Sequence, residues 1–187
     1  MENCKVIAIT NQKGGIGKTT TTVNLGVGLA NTGNKVLLID ADPQGSLTVN
    51  LGVKKPDELD VSLSSLMQSV IEDEQPPGNA IIAHNEGVDL LPSNIELSGM
   101  ETGLFNVMSR EYVLKTCIEG MRKNYDYILI DCMPSLGMMT VNALAAADNV
   151  IIPSQPNFLS TKGLNLLLRS IAKIKRQINP RLRIDGI

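Results

Sequence analysis

The residues best suited to chemistry lie in one run, Asn11-Gln12-Lys13-Gly14-Gly15-Ile16-Gly17-Lys18-Thr19-Thr20. A phosphate-binding loop ordinarily reads G-x-x-x-x-G-K-[ST], and this run departs from it by carrying Gln12 where the first glycine would stand. Gly14, Gly15 and Gly17 are expected to let the backbone take positive φ and approach a ligand without a side chain in the way. Successive N–H groups then form an anion cradle, reinforced by the positive end of the helix that follows. In that arrangement Lys18 neutralises the outer phosphates and the Thr19 hydroxyl ligates Mg²⁺, while Ile16 and Thr20 complete the binding run. Lys13 is surplus to those tasks. A solvated loop lysine is the ordinary alternative for it, as most lysines are solvated.

Two further segments carry useful carboxylates. Tyr125-Asp-Tyr-Ile-Leu-Ile-Asp131 is an apolar strand ending in an acid. Downstream of a phosphate loop, that acid is the expected organiser of Mg²⁺ through a water, because Mg²⁺ keeps several waters and takes few protein ligands. The following Cys132-Met-Pro-Ser-Leu-Gly137 offers the Gly137 N–H as a sensor of the γ-phosphate, against the alternative of a plain strand-to-helix turn. Asp42 follows the second strand and is the candidate for orienting an attacking water. Its alternative is an Asx-type turn with Pro43. Asp40, at the strand end itself, reads as structural or as support.

The elements that must position these residues follow from periodicity. Apolar runs at Lys5–Thr10, Lys35–Asp40, Tyr127–Asp131 and Val150–Pro153 predict strands buried on both faces, with shorter ones at Ile81-Ile82 and Val88–Leu91. Helices are predicted over Thr19–Asn31 (ended by Gly33), around Leu63–Ile71, over Ile95–Arg122 with a break near Ser109, over Met138–Ala147 and over Thr161–Asn179. Gly26 and Gly28 inside the first helix imply close packing on a sheet or another chain, since each costs about 1 kcal/mol relative to Ala. Strands alternating with helices give an α/β fold: a doubly wound, mostly parallel sheet in a three-layer sandwich of the P-loop NTPase kind. Ligands bind such sheets at the carboxyl ends of the strands, where Asn11, Asp40 to Asp42 and Asp131 to Pro134 converge. One domain over residues 1–187 is expected, with 54–101 a more variable acidic segment. Arg183 to Ile187 reads as the opening of another strand, so the last strands and helices of the sheet are expected to be missing.

Composition narrows the class. The 187 residues are 43% hydrophobic with a formal net charge of −2, which argues against a globally basic nucleic-acid binder. Charge is nonetheless segregated: 54–101 holds ten acidic residues and two basic ones, and 160–187 holds seven basic and one acidic. Three scattered cysteines lack metal-type spacing and are expected as free thiols, and the single His84 cannot build a histidine metal cluster. With no apolar leader and no run of about 20 apolar residues, a cytoplasmic protein without a membrane span is expected.

Lys13-Gly-Gly-Ile-Gly-Lys-Thr19, Asp40-Ala-Asp-Pro-Gln-Gly45 and Ile130-Asp-Cys-Met-Pro-Ser-Leu-Gly137, in that order, closely resemble ParA-type (Soj-like) partition ATPases, the deviant-Walker group that includes MinD. The similarity takes in Pro153-Ser-Gln-Pro156 and Gly163 to Asn179, and so nearly the whole chain. It implies ATP and Mg²⁺ as cofactors, slow hydrolysis, and an ATP-driven sandwich homodimer in which Lys13 reaches the partner's nucleotide. It also implies that Lys18 and Thr19 bind phosphate and metal, that Asp131 organises the metal, and that Asp42 supports hydrolysis. Gly14 would lie at the dimer contact. The implied partners are nonspecific DNA and a ParB-type centromere-binding protein that stimulates hydrolysis, with a place on the nucleoid and a role in segregating a plasmid, mobile element or chromosome. Met133 and Asn157 depart from the pattern, where relatives often have proline and an acid; neither removes a phosphate or metal ligand.

In the last helix Leu164, Leu167, Leu168, Ile171, Ile174 and Ile178 recur at helical spacing as a core face. Lys162, Arg169, Lys173 and Arg176 gather within about 60° on the other side, a stripe suited to phosphate contacts or simply to solvent. Three other readings stand beside the partition ATPase. One is a MinD-like membrane-site positioning ATPase, which needs an amphipathic helix. Another is a non-catalytic, nucleotide-dependent DNA-binding regulator. An iron-protein-like electron carrier lacks convincing cluster ligands.

Overall fold

The computed structural model describes residues 4–156 and 158–187, and for 158–162 the backbone alone. Seven strands among the described residues form one sheet: β1 (Lys5–Ile9), β2 (Val36–Ala41), β3 (Ile82–Ala83), β4 (Val88–Leu91), β5 (Tyr127–Cys132), β6 (Asn149–Ile151) and β7 (Arg183–Gly186). Their order is β3-β4-β2-β5-β1-β6-β7, and only β3 against β4 is antiparallel. The connecting helices are α1 (Lys18–Asn31), α2 (Ser46–Asn50), α3 (Leu63–Glu72), α4 (Leu97–Gly103), α5 (Val113–Glu119), α6 (Met138–Ala146) and α7 (Phe158–Gln177).

The strand pleat explains the three layers. Alternate residues of β1, β2 and β5 face opposite ways. Ile7, Ile9, Val36, Leu38 and Leu129 pack with α1 and α2 on one face. Val6, Ala8, Leu37, Ile39, Ile128 and Ile130 pack with α3 to α7 on the other. The apolar runs are therefore continuous because both faces are covered. The weakly patterned acidic segment also supplies core, with Leu63, Met67, Leu90, Leu91 and Leu97 fully buried.

Local sequence sets the breaks. Ser109 takes φ 52 between α4 and α5, the interruption anticipated there, and Gly33 ends α1 at φ 89. Helix α7 starts at Phe158 rather than Thr161. Asn157 lies outside the described residues. Leu167, Ile171 and Ile174 bury the core face of α7. No helix among the described residues is long and apolar enough to cross a membrane.

The two glycines of α1 differ. A Cβ on Gly26 would sit 2.6 Å from Leu38 Cδ2, so this glycine lets α1 lie against β2. Nothing lies within 4 Å of a Cβ on Gly28, and close packing does not account for it. Gly26→Val is therefore expected to destabilise by about 1–3 kcal/mol through overpacking. Gly28→Ala should stabilise by about 1 kcal/mol. Thermal unfolding should show opposite shifts of several degrees; equal shifts would contradict the packing.

Candidate functional site

At the carboxyl edge the register aligns Asp40 and Ile9 with Asp131 across three neighbouring strands. The chain leaves β1 into the glycine loop and re-enters order as α1, whose N-terminus therefore abuts this edge. Gly15 (φ 69) and Gly17 (φ 88) adopt the left-handed conformation expected of them. Gly14 does not, a correction to the expectation of positive φ there, and a Cβ on it would meet nothing within 4 Å. Nothing among the described residues requires glycine at position 14.

Asn11 pins the loop. Its Nδ2 donates to the Pro153 carbonyl at 2.8 Å, and its Oδ1 accepts from the Lys13 N–H at 3.1 Å. Gln12 contributes a buried Nε2 without a partner among the described residues. The Lys18 ammonium, 7% exposed, curls back to the Lys13 carbonyl at 3.2 Å. Burial holds it below the usual lysine pKa, opposed chiefly by Asp131 and then Asp42.

Asp131 is 1% exposed and joins sheet to helix. Its Oδ2 accepts from Thr19 Oγ1 at 2.6 Å and its Oδ1 from Thr22 Oγ1 at 3.4 Å. Burial pushes its pKa up to about 6, against the Thr19 hydrogen bond and the Lys18 charge. A hydroxyl and a carboxylate oxygen in direct contact make a hard-oxygen donor pair, a set that fits Mg²⁺ completed by waters.

Asp40 is fully buried, and its pKa rises to about 7, again mainly by desolvation. Its Oδ2 accepts from the Thr48 N–H and hydroxyl at 2.8 and 2.7 Å, and Oδ1 from the Asp42 N–H at 3.2 Å. Thr48 Oγ1 in turn accepts from the Ser93 N–H, so Asp40 ties the Asp42 loop to the end of β4. Asp42 forms the Asx turn, its Oδ1 accepting from the Gln44 N–H at 2.9 Å, and it also lines the cavity over the glycine loop. Turn and site readings thus coexist in one residue.

That cavity, about 320 Å³, is lined by Gly14, Gly15, Gly17, Lys18, Thr19 and Thr20, with Asp42, Ser46 and Pro134 opposite. Ser46 was not singled out from sequence. Lys13 and Gly137 do not line the cavity. The Lys13 ammonium, exposed, donates to Gln155 Oε1 at 3.0 Å in its own chain. The Gly137 N–H donates to Ser135 Oγ at 3.1 Å rather than standing open toward a γ-phosphate. Beside it Glu101, another residue that sequence reasoning missed, occupies the start of α6, accepting from the Met138 and Met139 N–H groups at 3.0 and 2.9 Å. A Cβ on Gly137 would strike that carboxylate, so glycine here admits Glu101. No local signal marks such a pairing across 36 residues.

Of the basic stripe, Arg169, Lys173 and Arg176 are exposed on α7 and form no ion pair among the described residues. The Lys162 side chain lies outside the described residues. Cys4 and Cys132 are buried and in no disulfide among the described residues, and the imidazole of His84 accepts the Glu86 N–H in the β3–β4 turn.

Ionisation of Asp131 gives a pH test on the ligand-free, magnesium-free protein. Its folded pKa of about 6 exceeds the ordinary 3.8, so the wild type loses stability as pH rises from about 4 through about 6. Asp131→Asn lacks that loss. Between pH 4 and pH 7 the stability difference should move in the variant's favour by up to about 3 kcal/mol. Denaturant titrations at both pH values check this; a pH-independent difference would contradict it.

The AAA domain family model matches residues 4–184. The chain is 45% identical over 184 residues to the sporulation initiation inhibitor protein Soj of Bacillus subtilis, covering 98% of this chain and 71% of that one. It is 43% identical over 186 residues to the chromosome partitioning protein ParA of Caulobacter vibrioides, covering 98% and 68%. A solved structure from Mycobacterium smegmatis, described as cobyrinic acid a,c-diamide synthase with bound ATP analogue and magnesium, superposes with a TM-score of 0.89. It is 41% identical, and the match covers 97% of this chain and 72% of that one. The glycine loop, the buried strand-end aspartates and these matches agree: the chain belongs to the AAA domain family and, within it, to the ParA/Soj group.

Proposed function

We propose that this chain is the nucleotide-binding part of an ATP-driven partition switch. It binds ATP with Mg²⁺, closes into a homodimer across the glycine-loop face, holds DNA without sequence preference, and hydrolyses ATP slowly until a ParB-type protein stimulates it. The observation that carries the reading is Lys13, a second lysine on a loop where Lys18 already occupies the phosphate position. In this account the Gly14 to Thr20 backbone cradles the phosphates, Lys18 neutralises them, and Thr19 and Asp131 (through water) hold Mg²⁺. Asp42 orients the attacking water. Lys13 leaves Gln155 and reaches the partner's γ-phosphate, as a cation supplied in trans does in other phosphoryl transfers. Open space around Gly14 supports a requirement set by the partner rather than by its own chain. Sensing by Gly137 needs its N–H to exchange Ser135 Oγ for phosphate. A place on the nucleoid follows from the DNA-binding role.

The amide-forming activity in the name of the Mycobacterium smegmatis protein finds less support. No thiol–imidazole pair is assembled among the described residues, because Cys132 is buried and His84 lies in the β3–β4 turn.

The test is retention on random-sequence duplex DNA with and without ATP. ATP should increase retention at least tenfold by linking nucleotide binding to dimerisation. Lys13→Ala and Lys18→Ala should each abolish that increase. Retention that is indifferent to ATP in the wild type, or an undiminished increase in Lys13→Ala, would refute the reading. Stronger ATP-dependent capture by liposomes than by DNA would favour a membrane-site role.

A further inference from the structure

The end of the sheet opposite the glycine loop holds a second concavity, of about 780 Å³. Its cationic lining comes from the starts of strands and the end of α7: Lys5, Arg122, Lys175, Arg181 and Arg183. Lys5 opens β1 and Asn11 follows its end, so at about 3.3 Å per residue this cleft lies about 20 Å from the phosphate loop. Strands β1, β6 and β7 are neighbours and their register sets Arg183 level with Ile7, which places Lys5 and Arg183 roughly 12 Å apart across the opening.

Most of the charge here is uncompensated. Asp148 is spent on Arg122 (2.8 Å) and the Val6 N–H (2.9 Å). Arg122 is further fixed by the Cys4 carbonyl at 3.1 Å. Asp185 accepts from Asn149, another residue of the lining. Lys5, Lys175, Arg181 and Arg183 are all exposed and make no ion pair within 4.0 Å among the described residues. An overall charge of −2 makes four unpaired cations around one concavity a local departure from the rest of the molecule.

We infer that this cleft is a phosphate-backbone site for double-stranded DNA, present without nucleotide and separate from the α7 stripe. The inference rests on the proposed DNA-binding role, for which it supplies a surface. Duplex DNA carries one charge per about 1.7 Å of axis, so several phosphates meet an opening of this size, and a row of lysines and arginines engages them irrespective of sequence. The lining offers no aromatic ring on which an unpaired base would stack. Apart from Pro180 and Cys4 it offers no apolar side chain to enter a lipid surface. Because the cleft is far from the glycine loop, it stays open when two loops close face to face. A dimer then carries two such sites at its outer ends, and pairing them raises retention through avidity.

The experiment measures binding of the full-length protein to a random-sequence duplex by fluorescence anisotropy, with and without ATP, over a range of salt. Without nucleotide the wild type should bind weakly, with a salt slope that falls by about one for each cleft cation removed. Lys5→Glu combined with Arg181→Glu and Arg183→Glu should weaken binding at least tenfold in both nucleotide states, while ATP affinity remains unchanged. The milder Lys5→Gln/Arg181→Gln covers the case in which charge reversal disturbs folding. Arg169→Gln/Lys173→Gln/Arg176→Gln should change nucleotide-free binding less than about threefold. Three results overturn the inference: no nucleotide-free binding, cleft variants with wild-type affinity, or tighter binding to anionic phospholipid vesicles than to duplex at equal phosphate. Cleft variants that keep wild-type affinity for duplex in the ATP state overturn the cleft and leave the partition reading standing. Absence of any ATP-dependent increase in the wild type removes that reading instead.

Discussion

A carboxylate and an ammonium held out of water at one edge of the sheet constrain everything around them. Asp131 ends a central strand, where its charge cannot be hydrated, so Thr19 and Thr22 of α1 supply the hydrogen bonds that water would have given. This contact fixes the first turns of α1 against β5. It thereby brings the glycine loop, which has no other route from β1 to α1, over the strand ends. Lys18, desolvated beside it, donates to the Lys13 carbonyl and feels the charges of Asp131 and Asp42. Lys18, Thr19 and Asp131 thus set an ammonium, a hydroxyl and a carboxylate side by side, a set suited to a polyphosphate with a divalent cation.

The same device recurs outward from that centre. Asp40 collects donors from two loops and so sets where Asp42 stands. Glu101 places a carboxylate on the first N–H groups of α6, where the helix dipole favours an anion. It ties the 97–103 helix to the loop after Asp131. At the far edge Asp148 performs the equivalent task for Arg122 and the start of β1. Asp40 and Asp131 on the carboxyl edge are buried and matched to local donors, whereas Lys5, Lys175, Arg181 and Arg183 on the amino edge are exposed and form no ion pair among the described residues. The two ends of one sheet are therefore suited to different kinds of phosphate.

Much of this was legible from the chain. Strands covered on both faces leave unbroken apolar runs, so β1, β2 and β5 and their terminal aspartates announce themselves, and a glycine loop in front of a helix is a local pattern. Helix α7 showed its core face through Leu167, Ile171 and Ile174. What escaped sequence reading depends on pairings between distant segments. Asn11 with Pro153, Lys13 with Gln155, and Glu101 with α6 leave no local trace. Gly14 belongs to a glycine run whose Gly15 and Gly17 are left-handed, yet its own backbone is not, a distinction that the residue type alone does not carry. The amino-edge cleft joins residue 5 to residue 183 through the strand order β1-β6-β7. Helical periodicity drew attention to the stripe and away from Lys175, which lies off it.

Proton release on binding Mg²⁺ and ATP reports on the buried Asp131 carboxyl. Burial raises the Asp131 pKa to about 6, and a carboxylate organises a cation in its deprotonated form, so cation binding releases its proton. Calorimetric titration at about pH 6, in buffers of different ionisation enthalpy, measures the number of protons released. The wild type should release up to about half a proton more than Asp131→Asn, a difference that shrinks as pH rises toward 8. Equal release in the two proteins at pH 6 would contradict it.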